Sequence, residues 1–230
     1  MKRFWTEVTI DADRVVTLDG RPVRTPGRVP LALPTDALAA AVADEWRAVA
    51  ETIDPRAMPL TGLANAAIDR IALDPAAFAA GLSVYGESDL LYYRALSPDL
   101  LIARQQAAWD PWLDWARARY DVHFETTAGV MHRAQPPATL ARLAEAVAAL
   151  DPFGLAGLSP VVTITGSLIL ALALIERAGD ADTVWTAANI DEDFQAELWG
   201  ADSLAVQALA NKRRDFDAAV AFLAALRPSA

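Results

Sequence analysis

The run Val15-Val16-Thr17-Leu18-Asp19-Gly20-Arg21-Pro22-Val23-Arg24-Thr25 sets Asp-Gly between two β-prone stretches. Both central residues of a tight hairpin turn need positive φ, and Asp-Gly adopts it at low steric cost, so the run predicts an antiparallel hairpin. Pro22 lies just past the turn and, lacking a ladder donor, implies an edge position or an early strand break. Upstream, Val8 and Ile10 alternate with Glu7 and Thr9, the period of a half-buried strand. A third short strand is expected from Val29 to Leu33.

Downstream the period changes to that of a helix. Thr35-Asp36 offers a capping hydroxyl and a carboxylate at the positive end of the dipole. Leu38, Val42, Trp46 and Val49 then recur on one apolar face, which places Trp46 in the core. Packed on the strands, this helix makes a small α+β module. Asp74-Pro75 opens the next helix. Ser97-Pro98-Asp99 starts a long one, with Ser97 as cap and Pro98 at the first helical position. Val122 to Thr127 reads as an isolated strand, and further helices are expected over 137–150, 167–178, 182–199 and 202–226. Gly179 and Gly200 sit where carboxyl-terminal caps belong. The predicted fold class is α+β: an amino-terminal strand-hairpin/helix domain over residues 1–74, then a larger, mostly helical domain over 75–230.

Composition narrows the function. The chain has 230 residues, 54% of them hydrophobic and 22% charged, which excludes intrinsic disorder. It has no Cys, which removes disulfides, thiol nucleophiles and cysteine-zinc sites, and its two His residues, His123 and His132, give little material for a metal centre. A formal charge of −10 argues against a nucleic-acid partner, since phosphate neutralisation needs a basic surface. No secretory signal or organellar presequence is read at the amino terminus, where Glu7, Asp11 and Asp13 interrupt any apolar run. The charge-free stretch from Pro152 to Ile175 is broken by Gly154, Gly157, Pro160 and Gly166, so a buried core segment is expected rather than a membrane span. Neither phosphate-cradling glycine loop pattern is present, nor is a nucleophile elbow or a zinc-protease motif, so no nucleotide, cofactor or metal is expected.

Charge is concentrated late in the chain. Residues 176–202 carry eight acids against one base, Arg177, before the chain turns basic at Lys212, Arg213 and Arg214. On a single helix over 182–199, Val184, Ala187, Ile190, Phe194 and Leu198 form a core stripe. Trp185, Ala188, Glu192, Gln195 and Trp199 form a second stripe about a third of a turn away. Two tryptophans flanking a carboxylate and an amide suit a polar hot spot for a protein partner. A Trp-capped core edge is the alternative. An enzyme reading also exists: an acid/base hydrolase using Glu87, Asp89 or Glu192 in a cleft between the domains.

Several collinear segments resemble one family. They are Asp19-Gly20-Arg21-Pro22-Val23-Arg24-Thr25-Pro26, Leu33-Pro34-Thr35 leading to Asp44-Glu45-Trp46, and Ile53-Asp54-Pro55. Met58-Pro59-Leu60-Thr61 and Leu63-Ala64-Asn65-Ala66-Ala67-Ile68-Asp69 follow, then Tyr85-Gly86-Glu87-Ser88-Asp89-Leu90-Leu91 and Trp109-Asp110-Pro111. The carboxyl-terminal signature is Asp191-Glu192-Asp193-Phe194-Gln195 with Trp199-Gly200. Together they resemble the assembly chaperones that bind the alpha subunit of the soluble catalytic sector of F-type ATP synthase. The resemblance implies an orthogonal helical bundle in the second domain and a non-enzymatic role, holding free alpha subunit until the beta subunit displaces it. It places partner binding at Glu192, Gln195 and Trp199, with Trp185 and Asp191 beside them. It further implies a monomer without cofactor, nucleotide, nucleic acid or membrane partner. The alanine-rich composition suits an alpha-proteobacterial cytoplasmic member, or the mitochondrial matrix for a trimmed organellar one.

Overall fold

The computed structural model describes residues 1–200 and 202–227. It closes the expected hairpin at Asp19-Gly20, where φ is 48° and 75°. Strand β1 (Val8–Ile10) pairs antiparallel with β2 (Val16–Leu18), and β2 pairs with β3 (Arg21–Pro22). Val8 faces Leu18 and Ile10 faces Val16 across the first pair. The stretch expected as a third strand over Val29–Leu33 makes only single bridges, Arg24 to Pro30 and Val15 to Ala32. Pro30 within the stretch and Pro34 just after it have no N–H to give a ladder.

The chain continues through α1 (Asp36–Ala48), α2 (Pro59–Asp69), α3 (Pro75–Ser83), β4 (Tyr93–Arg94), α4 (Asp99–Tyr120) and β5 (Thr127–Ala128). The rest is helical: α5 (Pro137–Ala148), α6 (Pro152–Thr165), α7 (Leu168–Ile175), α8 (Ala181–Ala188), α9 (Ile190–Trp199) and α10 (Ser203–Ala225). The α+β class follows from this order. The chain forms two compact units. One comprises Met1–Pro75, Leu150–Gly157 and the stretch from Asp217 onward; the other comprises Ala76–Ala149 and Leu158–Phe216.

In the first unit, the Thr35 hydroxyl caps α1 by accepting from the Leu38 amide at 3.1 Å, and Leu38, Ala39, Val42 and Ala43 are buried. Trp46 is half-buried and meets Trp5 edge-on, with ring centroids 5.4 Å apart. The carboxylates of Asp19, Glu45 and Asp69 tie separate segments together by accepting from backbone amides. Asp19 Oδ1 accepts from the amides of Glu7 at 2.8 Å and Thr6 at 3.0 Å, and these bonds hold its carboxyl below the usual range. Glu45 caps α2, taking the amides of Leu60 at 2.7 Å and Thr61 at 2.8 Å and the Thr61 hydroxyl at 2.7 Å. Asp69 accepts from the Thr25 hydroxyl at 2.6 Å and the Gly27 amide at 2.7 Å, tying the loop after β3 to the end of α2. The late segments return through Phe153, whose ring stacks on Phe222 at 6.4 Å, and through the Thr35 hydroxyl, which donates to the Ala225 carbonyl at 2.6 Å.

The second unit is built around α7, in which every residue from Leu168 to Ala173 is at most 1% exposed. Gly166, at φ 66°, and the capping hydroxyl of Ser167 divide the charge-free stretch into α6 and α7. Among the described residues no helix is long and apolar enough to cross a membrane. Asp89 is wholly buried. Its two oxygens accept from the amides of Leu91 and Ile169, each at 3.0 Å, so one carboxyl fixes a 3-10 turn and the start of α7. Burial pushes this carboxyl up to about 6, against the opposing pull of those amides and of the Ser167 hydroxyl. Strands β4 and β5 pair in parallel over two residues, less than the strand expected over Val122–Thr127.

Two helix ends differ from the sequence reading. Pro98, not Ser97, occupies the cap position of α4, which then runs unbroken through Pro111. After α7 the left-handed residue is Arg177, at φ 63°, and not Gly179. Gly179 is small for another reason: a β-carbon there would collide with the Trp112 ring.

Candidate functional site

The helix expected over 182–199 is two helices. Asn189 separates α8 from α9, and its side-chain amide donates to the Trp185 carbonyl at 2.8 Å. That carbonyl is the acceptor the Asn189 amide would use in a continuous helix; the amide turns instead to Thr186 at 3.2 Å. The break interrupts the proposed stripe, so Trp185 lies on α8, apart from Glu192, Gln195 and Trp199 on α9.

Helix α4 holds the inner side of this pair. Trp109 Nε1 donates to the Ala187 carbonyl at 2.7 Å, and Gln105 Nε2 donates to Asp191 Oδ1 at 2.7 Å. Arg104 pairs with Glu197 at 2.8 Å and lies over the ring of buried Phe194 at 5.3 Å. Asp191 and Glu197 are thus engaged with α4. Trp185 is half-buried, 5.3 Å from Phe216, with the Arg213 guanidinium 5.3 Å from its ring. Leu198, read as a core residue, is 57% exposed because the buried side of α9 ends at Phe194.

The outer side is different. Glu192, Gln195 and Trp199 are all exposed, Trp199 at 78%. Across from them α10 begins, capped by Asp202, whose Oδ1 accepts from the Leu204 amide at 2.6 Å. Every residue from 202 to 208 is exposed, including Leu204 at 80% and Val206 at 54%. Between the two helices lies a groove of about 280 Å³ bounded by Glu192, Asp193 and Ala196 on one wall and by Val206, Leu209 and Lys212 on the other. Partial burial, with Glu197 nearby, raises the Asp193 carboxyl above its usual value. Among the described residues, Glu192 and Lys212 have no hydrogen-bond or ion-pair partner. The α10 wall is absent from the sequence reading. Its signal was the charge-free run Ser203-Leu204-Ala205-Val206-Gln207-Ala208-Leu209-Ala210, which has no polar face strong enough for an ordinary solvated helix.

Such an exposed surface, part apolar and part charged, can bind a partner. Of the three carboxylates in the hydrolase reading, Asp89 has both oxygens taken by backbone amides in a sealed site, whereas Glu192 is exposed on the groove. Glu87 is exposed on a 3-10 turn. Among the described residues no group of three His, Cys, Asp or Glu side chains could hold a metal ion.

Residues 2–117 match the family model described as ATP12 chaperone protein. The chain is 45% identical to crystalline Atp12 of Paracoccus denitrificans, with a TM-score of 0.92 and 98% of each chain covered. A point variant of Paracoccus denitrificans Atp12p gives 46% identity and a TM-score of 0.94 over the same 98% shares. The Agrobacterium tumefaciens protein Atu1473 gives 41% identity and a TM-score of 0.93, covering 98% of this chain and 86% of its own.

Proposed function

Because the chain belongs to the ATP12 chaperone family, we propose that it binds the free alpha subunit of the soluble catalytic sector of F-type ATP synthase. It covers that subunit's apolar interface until the beta subunit takes its place. An unassembled subunit exposes surface built for burial, and a reversible cover keeps it from aggregating. The protein acts as a monomer in the bacterial cytoplasm, or in the matrix for an organellar member, and uses no nucleotide.

The observation that carries the reading is the exposed Glu192 carboxylate, unpaired among the described residues and flanked by exposed Gln195 and Trp199. Such a group accepts charge-assisted hydrogen bonds from a basic or amide donor on the client. Trp199 adds a large apolar anchor.

The test is light scattering of isolated alpha subunit, with and without the chaperone and without ATP. Wild type suppresses aggregation; Glu192→Lys keeps its melting temperature and loses suppression. Glu197→Gln is the matched control, since it relinquishes only an exposed pair with Arg104 worth at most about 1 kcal/mol. Equal suppression by wild type and Glu192→Lys removes Glu192 from the site. A need for nucleotide, or equal protection of unrelated clients, defeats the specific-chaperone reading.

A further inference from the structure

We infer that the α9–α10 groove receives an amphipathic α-helix of the client, with a large apolar side chain at one end of its docking face and a Lys or Arg about two turns away. This rests on the client-binding reading above and adds the shape and chemistry of what is bound.

The groove has two chemically different ends. Glu192, Asp193 and Lys212 mark one. Toward the other, Ala196 and Val206 line the trough, and Trp199, on the same face of α9 as Glu192 and one turn beyond Ala196, is exposed, as is Leu204 near the start of α10. Seven residues separate Glu192 from Trp199 on one helix, a span of about 10 Å at ~1.5 Å per residue. A docked helix that meets both must carry its basic and apolar contacts at the same spacing, about seven residues apart. The volume of about 280 Å³ suits a few inserted side chains rather than an engulfed ligand.

The occupant is helical because neither wall offers a strand. An extended segment laid in this trough leaves backbone amides and carbonyls unpaired against apolar surface, whereas a helix satisfies its own. Small side chains at Ala196, Ala205 and Ala208 let a third helix approach closely. Its charge follows from the rim. Glu192 is unpaired among the described residues, and Asp191, Glu192 and Asp193 crowd the first turn of α9. A second copy of this chain would bring the same acidic excess, eight acids against one base over 176–202, to meet its like. A basic client segment meets two groove carboxylates, Glu192 and Asp193, against a single cation, Lys212.

The absence of cysteine permits a clean test. Val206→Cys carries a benzophenone label and is photolysed with isolated alpha subunit. Separately, Ala205→Trp and Val206→Asp obstruct the groove from a stretch exposed on every side, so both should keep the wild-type melting temperature. The expected results are a cross-link to one helical segment of the alpha subunit with a Lys or Arg one to two turns from the attachment point, and at least tenfold weaker binding by either obstructing variant. Reversing that basic residue to Glu should restore binding to Glu192→Lys. Wild-type affinity in both obstructing variants, or a cross-link to an extended segment, overturns the helix-docking inference and leaves the chaperone reading intact. A self-associated chaperone in sedimentation, dissociated by Ala205→Trp, assigns the groove to a second copy and overturns it too. Failure of wild type to bind alpha subunit at all overturns both readings.

Discussion

Removing the Asp89 carboxyl should change how stability depends on pH, in a direction fixed by its burial. The group is fully buried and its carboxyl is pushed up to about 6 from an ordinary 3.8. Its folded form therefore holds a proton more tightly than its unfolded form. The associated stability is fully present below pH 3.8 and is lost as pH rises through about 6. The whole effect is worth about 3 kcal/mol, since each tenfold gain in proton affinity contributes ~1.4 kcal/mol. Roughly half of it falls between pH 5 and pH 8, a range that avoids the isoelectric point near 4.6, where acidic proteins precipitate. Asp89→Ala also strips the Leu91 and Ile169 amides of their acceptor, at about 1–3 kcal/mol each. The variant should be less stable than wild type at pH 5, and the gap should narrow by about 1.5 kcal/mol by pH 8. Urea denaturation of both proteins at pH 5, 6, 7 and 8, followed by circular dichroism, measures the gap directly. A gap that stays constant would show that Asp89 does not change its protonation on folding. A gap that widens with pH would mean that the amide bonds, and not burial, dominate its environment.

Two further outcomes follow from the first unit. Glu45→Ala removes the cap of α2 and should lower stability to urea by about 1–2 kcal/mol, the usual worth of a helix cap; full wild-type stability would mean that water replaces the carboxylate at no cost. Gly27→Ala places a β-carbon 2.6 Å from Asp69 Oδ1 and should break the Thr25–Asp69 clamp, costing about 1–3 kcal/mol; an unchanged midpoint would mean that the loop shifts freely.

What the sequence made legible was local. Asp19-Gly20 and Thr35 declare their structures through turn and cap chemistry that depends on a few neighbours, and both appear as read. The segments 150–157 and 217–227 were opaque for the opposite reason. Phe153 and Phe222 advertise burial, but no pattern states which partner they bury against, and it proves to be each other within the first unit. Asp89 looked like a candidate acid because a carboxylate's type is visible in sequence and its burial is not. The Leu90-Leu91 pair that follows it was the only local hint of a sealed site. The groove was half legible. Its α9 wall lies in the segment Asp191-Glu192-Asp193-Phe194-Gln195, whereas its shape depends on Asn189 breaking a helix that hydrophobic period alone would continue.

The carboxylates divide by what they touch, and the division bears on where a client can bind. Asp19, Glu45, Asp69 and Asp89 accept hydrogen bonds from backbone amides of their own chain, and Asp191 accepts from Gln105. Each stabilises a turn, a helix start or a helix contact, so reversing its charge attacks the fold first. Loss of client binding in such a variant would carry little information about an interface. Glu192 has no such commitment. It lies in the same acidic first turn as Asp191, one residue on, but rotates about 100° away from α4 and toward the groove. A charge in this position gains little from folding and has little to lose on mutation. Its free energy of interaction is available to a partner, and the difference between Asp191 and Glu192 is the difference between a residue that builds the surface and one that can use it.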